Sequence, residues 1–287
     1  MEIGLLISGL LGFEVIQKLL NHFNINFVLT DKQSVEIVRL CNEKKIACYA
    51  GNPRNGLALK KLPKINCDVI VSVNYLFLIE KDIIELPKKI AINFHGSLLP
   101  KYRGRTPHVW AIINNESETG VTAHVIDEEC DSGAILAQKK IPISSEDSGG
   151  TLLEMFKKIY PDFVIEVLQN IRNNSYTAKP QNNLLATYFG KRTAGDGRID
   201  WNWQKERIYN WVRAQAKPYP GAFTFYRGNK IIIHKIKFSE FGFHCTIPNG
   251  TILEINNKIP IVKTPNGCIE IIDFETDCTM DVNNNLQ

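Results

Sequence analysis

The stretch EIGLLISGLLGFEVIQKLLNHFNINFVLT, residues 2–30, sets the fold class. EIGLLIS (2–8) is a short, continuously apolar run, the pattern of a strand buried on both faces. FEVIQKLLNHF (13–23) places Phe13, Ile16, Leu19, Leu20 and Phe23 on one helical face, and NFVLT (26–30) returns to a strand pattern. Strand, amphipathic helix and strand in succession predict parallel strands joined by a helical crossover. IACYA (46–50), DVIVSVN (68–74), AINFH (91–95) and TAHVI (122–126) continue the series, so the expectation is an α/β fold around a mostly parallel sheet. Gly4, Gly9 and Gly12 echo a dinucleotide fingerprint without its GxGxxG spacing, and are read as a tight strand-to-helix turn instead.

The chemistry concentrates in NFHGSLLPKYRGRTPHVWAIINNESETGVTAHVIDEECDSG, residues 93–133. Asn93 and His95 are two apart on the strand AINFH, so their side chains share a face, at the C-terminal strand end where open α/β sheets bind ligands. Asn93 is placed to donate to a developing oxyanion, His95 to exchange a proton near neutral pH, and Asp131 to orient and charge-balance the imidazole. This trio suits acyl transfer without a serine nucleophile or a metal. His124 and Cys130 have no partner at ligand spacing and are read as packing and loop residues, and the separation of His108 from His124 does not suggest a metal site.

A long helix is predicted at about 151–173, opened by a capping box of Thr151 and Glu154, striped by Leu152, Phe156, Ile159, Phe163, Val167 and Ile171, and kinked at Pro161. Polar, turn-rich sequence from about 173 to 200 reads as a surface linker. After a short helix near 204–214, the runs AFTFY, KIIIHKIKF, GTILEI, IPIVKT and CIEIIDF predict a small β-rich barrel or sandwich. The expected division is a catalytic domain over 1–178, a linker over 179–205 and a β-rich domain over 206–287. Disorder is expected only at the Asn-rich NNNLQ.

Apolar content of 44% and charged content of 22% over 287 residues are ordinary for a globular protein. No apolar run approaches a membrane span, and MEIGLLISGLLGF is unlike a signal peptide, so the expectation is a cytoplasmic protein off the membrane. The seven scattered cysteines form no CxxC pair and read as free thiols, with no metal site expected. From 206 onward nine Lys or Arg (207, 213, 217, 227, 230, 235, 237, 258, 263) face eight Asp or Glu (206, 240, 254, 270, 273, 275, 277, 281), leaving +1. That balance shows no basic face for gripping a long polyanion, and no nucleic-acid partner is expected.

The segment NFHGSLLPKYRGRTPHVWAIINNESETGVTAHVIDEECDSGAILAQ resembles the folate-dependent formyltransferases, which share an Asn-x-His-x-Ser-Leu-Leu-Pro motif and a later Asp-x-Gly. HGSLLPKYRGR, FGKRTAGDGRIDW and VRAQAKPYPGAF extend the resemblance through both halves, most closely to the nucleotide-sugar members of the UDP-4-amino-4-deoxy-arabinose formyltransferase type. The resemblance implies a formyltransferase-type, Rossmann-like sheet with a smaller OB-like C-terminal domain. It also implies N10-formyltetrahydrofolate as formyl donor and Asn93, His95 and Asp131 as the catalytic set. Tyr75, Phe77, Leu98, Leu99 and Asp127 would contact the folate; Lys101, Arg103, Arg105 and Tyr219 would contact the acceptor.

The same resemblance bears on the acceptor. The tRNA-directed members carry a basic insertion after the second strand, whereas here VLT passes through DKQ straight into SVEIVRLCNEKK. The expectation is therefore a UDP- or dTDP-linked amino sugar, of the 4-amino-4,6-dideoxyhexose type used in surface polysaccharides, with methionyl-tRNA as the alternative. A homodimer is compatible with this reading.

Overall fold

The computed structural model describes residues 1–62 and 65–287. In chain order it begins β1 (Glu2–Ile7), α1 (Gly9–Leu19), β2 (Asn24–Thr30), α2 (Val35–Lys44), β3 (Ala47–Ala50), α3 (Leu57–Lys61), β4 (Val69–Val73) and α4 (Lys81–Ile84). There follow β5 (Ile90–His95), β6 (Arg103–Gly104), α5 (Pro107–Ile113), β7 (Glu118–Val125), β8 (Ile135–Pro142), α6 (Gly149–Arg172) and β9 (Tyr188–Phe189). The remainder is α7 (Lys205–Ala214), β10 (Ala222–Tyr226), β11 (Asn229–Ser239), β12 (Ile252–Asn256), β13 (Ile259–Thr264) and β14 (Gly267–Glu275). No helix among the described residues is long and apolar enough to cross a membrane.

The chain forms two compact units, one of residues 1–104, 119–142 and 154–189, the other of residues 105–118, 143–153 and 190–287. In the first, a seven-stranded sheet runs β3-β2-β1-β4-β5-β7-β8. The β2–β3, β1–β2, β1–β4 and β4–β5 pairs are parallel, and β7 is antiparallel to β5. This is the mostly parallel α/β sheet expected from the sequence.

Both faces are covered, which is why β1 reads as an unbroken apolar run. Ile3, Leu5 and Ile7 join a core with Val15, Ile16 and Leu19 of α1 and Phe156, Phe163 and Val167 of α6, while Leu6 joins Phe27, Leu29 and Ile70 on the other face. Phe94 of β5 meets Phe163 edge to face, with ring centroids 5.8 Å apart. Each such buried side chain contributes roughly 1.5–3 kcal/mol.

Three details differ from the sequence reading. α1 starts at Gly9, directly behind β1, and buries Leu11, Gly12, Val15, Ile16 and Leu19. The apolar GLLG turn is itself helical, and the predicted range 13–23 is shifted. β8 was not anticipated, because most of its residues are half-buried or exposed and its apolar signal is weak. α6 starts two residues before Thr151. Its cap is Ser148: Thr151 N–H donates to Ser148 Oγ at 3.1 Å and Ser148 N–H donates to Thr151 Oγ1 at 2.9 Å. Glu154 instead pairs with Lys157 one turn on.

In the second unit, the five antiparallel strands lie in the order β10-β11-β14-β13-β12. Residues 283–287, expected to be disordered, bond to both outer strands. Phe225 and Gln287 exchange both backbone hydrogen bonds, and Ile252 N–H and Leu286 N–H donate to Asn284 and Gly250 carbonyls. The segment thereby bridges the two outer strands through Phe225 and Ile252.

Ser148→Ala is expected to cost about 1 kcal/mol in chemical denaturation, the usual value of a lost helix cap. Glu154→Ala, which loses only an exposed one-turn ion pair, is expected to stay within about 0.5 kcal/mol.

Candidate active site

The antiparallel register of β5 and β7 builds the site. Asn93 lies opposite His124 and His95 opposite Thr122. Because directly opposed residues point to the same face, His124 joins Asn93 and His95 at the C-terminal end of β5. Sequence reading assigned His124 to packing; the structure brings it into the trio's immediate contact. Parity along the two paired strands is the signal that identifies it.

The tautomers follow from partners that only accept. His124 Nδ1 lies 2.8 Å from the Val125 carbonyl and so carries the proton, which leaves Nε2 to accept from Asn93 Nδ2 at 3.1 Å. Asn93 Nδ2 also lies 3.4 Å from Asp131 Oδ1, so its amide is oriented with the donor toward the carboxylate. His95 Nε2–H donates to the Tyr102 carbonyl at 2.7 Å. Its Nδ1 faces Asp131 Oδ2 at 3.5 Å. His124 Nε2 stands 3.5 Å from Asp131 Oδ1. One carboxylate thus gathers Asn93, His95 and His124.

Asp131 is only 10% exposed along its side chain and sits at φ 56°, in the left-handed region. Such backbone is costly for a non-glycine residue and persists where surroundings over-determine it. Gly104 N–H donates to Asp131 Oδ2 at 2.9 Å. Gly104 itself has φ 103°, and a Cβ there would come 2.2 Å from the Phe189 carbonyl oxygen, so no other residue fits between β6 and β9. Two residues beyond Asp131, a Cβ on Gly133 would come 1.9 Å from the Val125 carbonyl oxygen. These two glycines let the 102–104 and 127–133 loops close on the carboxylate.

The other anticipated residues fall in varied places. Tyr75 and Phe77 lie on the loop after β4, their rings edge to face at 5.6 Å, and Tyr75 Oη is buried without a hydrogen-bond partner among the described residues. Leu76 and Leu78 of the same loop are 43% and 61% exposed. Leu98 packs over Gly120, while Leu99 is buried, its N–H on Thr122 Oγ1 and its carbonyl on Gln138. Asp127 is exposed and accepts from Ser132 Oγ at 2.8 Å. Lys101 is exposed. Arg103, expected to meet an acceptor phosphate, is 1% exposed, its guanidinium bonded to Gln181, Asn183 and Tyr188. In the second unit Arg105 is exposed, and Tyr219 Oη is 2.6 Å from His108 Nε2, burial pushing the Tyr219 phenol up to about 12.

Electrostatics divide the pair. Burial alone would raise the Asp131 carboxyl, yet His95, His124 and the Gly104 N–H together hold it well below the usual carboxylate range. Burial pushes the His95 imidazole below its ordinary value; the Asp131 charge and the Tyr102 carbonyl pull the other way, and His124 adds to the fall. Near neutral pH the site therefore holds an ionised carboxylate beside a neutral imidazole, a poised proton acceptor with a fixed amide donor at its side.

The Formyl transferase family matches residues 21–168, and the Formyl transferase, C-terminal domain, family matches residues 191–287. A methionyl-tRNA formyltransferase of Thermodesulfovibrio yellowstonii is 36% identical over 236 residues, 80% of this chain and 74% of that protein. Among solved structures, WlaRD, a sugar 3N-formyl transferase crystallised in the presence of dTDP and 5-N-formyl-THF, matches with TM-score 0.72 and 22% identity over 98% of this chain and 99% of that one. A 4-N formyltransferase from Francisella tularensis matches with TM-score 0.67 and 21% identity over 81% of this chain and 96% of its own. At these identities the two structures share the fold.

Imidazole nitrogen NMR checks the electrostatics. His95 is expected to protonate only below the ordinary histidine value of 6.5, and Asp131→Asn, which removes the anion favouring the imidazolium, lowers that point further. A rise in the variant contradicts the pairing.

Proposed function

The chain belongs to the formyl transferase family, and from that premise we propose that it is a nucleotide-sugar N-formyltransferase. It moves the formyl group of N10-formyltetrahydrofolate onto the amine of a UDP- or dTDP-linked amino sugar, of the 4-amino-4,6-dideoxyhexose type. The observation that carries the acceptor class is the β2–α2 connection. It spans only Asp31–Ser34 and folds on itself, with Ser34 Oγ donating to Asp31 Oδ2 at 2.5 Å and Gln33 N–H to Asp31 Oδ1 at 2.8 Å. The basic insertion that the tRNA-directed members place there has no counterpart, and Lys32 is the connection's one cation. The nearly neutral 206–287 region supports the same choice.

The residues fit the donor. The loop after β4 offers exposed Leu76 and Leu78 beside the buried Tyr75 Oη, which has no partner among the described residues, an apolar surface with a polar edge for a flat heteroaromatic ring. Tyr75 and Phe77, with Leu98, Leu99 and the loop holding Asp127, bind the folate. The folate supplies a formyl group already reactive toward amines.

Asn93 Nδ2 donates to the negative charge that develops on the formyl oxygen, exchanging its longer 3.4 Å contact to Asp131 for it. Such a donor is worth about 2.7–4 kcal/mol. His95 Nδ1 takes the proton of the attacking amine, the resulting imidazolium lies between the Tyr102 carbonyl and the Asp131 carboxylate, and His95 would return that proton to the donor nitrogen as its bond to the formyl carbon breaks and tetrahydrofolate leaves. A positioned base contributes roughly 10²–10⁴-fold. Exposed Lys101 supplies positive charge for the acceptor's diphosphate.

The second reading is methionyl-tRNA as acceptor, favoured by the 36% identical relative. Mass spectrometry of UDP- and dTDP-linked 3- and 4-amino sugars, incubated with the protein and N10-formyltetrahydrofolate, separates the two. Addition of one formyl group to a single sugar is the expected outcome. Formylation of methionyl-tRNA alone in the same buffer replaces the proposal with the second reading.

A further inference from the structure

Arg103 is among the largest fully buried side chains of the protein, and its partners are neutral. A buried guanidinium spent on neutral acceptors is expensive and calls for a reason beyond stability. Nε–H and Nη2–H both donate to Gln181 Oε1, at 3.2 and 2.7 Å. Nη2–H also reaches Asn183 Oδ1 at 2.8 Å, and Nη1–H reaches Tyr188 Oη at 2.5 Å. With its oxygen fixed by this fork, the Gln181 amide can point its nitrogen in only one direction. Nε2–H groups donate to the main-chain carbonyls of Asp131 and Gly133, at 2.8 and 2.7 Å.

The flanking backbone completes the pattern. The Tyr102 carbonyl receives His95 Nε2–H, and the Gly104 N–H reaches Asp131 Oδ2. Three consecutive residues therefore hold the ring of His95, the carboxylate of Asp131 and, through Gln181, the backbone that presents that carboxylate. Tyr102 at φ 61° and Asp131 at φ 56° are the strained positions that the fastening retains.

We propose that Arg103 and Gln181 are positioning residues for formyl transfer, a clamp that sets the distance between the Asp131 carboxylate and the His95 imidazole. This rests on the catalytic reading of Asp131. Gln181 touches no reacting atom and acts through the loop it ties down.

Gln181→Glu is the discriminating variant. It keeps an acceptor for Arg103, now as an ion pair, but replaces the amide donor with an oxygen that repels the carbonyls of Asp131 and Gly133. Expected are a fall in kcat on the order of 10²-fold, the scale of an ångström-sized misplacement, and an unchanged KM for the folate donor. The acid limb of the pH profile moves to lower pH, because a displaced carboxylate supports the His95 imidazolium less. Thermal unfolding stays near that of the parent. Gln181→Asn, whose amide is one methylene too short to span both ends, gives the same kinetic signature should the first variant fold poorly.

Parent-like kcat and acid limb, or a reduced kcat with the limb unmoved, overturn the clamp. Asp131→Asn runs alongside: if it is inactive while Gln181→Glu is normal, only the clamp falls. If Asp131→Asn is itself fully active, the catalytic reading and the clamp fall together.

Discussion

The carboxylate of Asp131, largely withdrawn from solvent, organises the candidate site. Withdrawing a carboxylate from water costs several kcal/mol unless donors and opposite charge replace the solvent. The chain supplies the Gly104 N–H and Asn93 Nδ2 as donors, and sets the His95 ring 3.5 Å away, where it carries the opposite charge once protonated. Gly104, His95 and Asn93 lie 27 to 38 residues before Asp131 in sequence, so the fold itself must deliver them. β5 and β7 must pair in the one register that sets Asn93 against His124, and β6 must close on β9 tightly enough that Gly104 has no room for a side chain.

The same requirement links stability to chemistry. A charge held by fixed dipoles needs no reorganisation when a proton arrives on the neighbouring imidazole. His95 is kept neutral by burial and is ready to be charged by Asp131, so the pair stores no ion pair before substrate binds and gains one during transfer. The strained backbone at Tyr102 and Asp131 belongs to this arrangement, for it is tolerated only where several hydrogen bonds fasten it.

Local signals made the α/β sheet and the five C-terminal strand runs legible in the sequence. Asn93, His95 and Asp131 stood out because their spacing and strand position carry chemical meaning, and the motif resemblance reinforced it. His124 did not, since its role depends on the register between β5 and β7, a pairing that no local periodicity specifies. Gln181 was out of reach for a related reason: it acts on a carbonyl 50 residues away from a polar stretch that resembles a linker. Arg103 was expected to contact the acceptor and is instead buried, because burial of a charge has no sequence signature of its own. NNNLQ read as disordered from composition, while its backbone hydrogen bonds join two sheet edges.

The most direct test of the account is a double-mutant cycle on formyl transfer, measuring kcat for Asn93→Ala, Asp131→Asn and the combination. If the two residues form one catalytic unit, each single change lowers kcat at least about 10²-fold and the double variant is little worse than the poorer single. Independent effects that multiply, or near-normal turnover in either single variant, would contradict the central role given to the buried carboxylate.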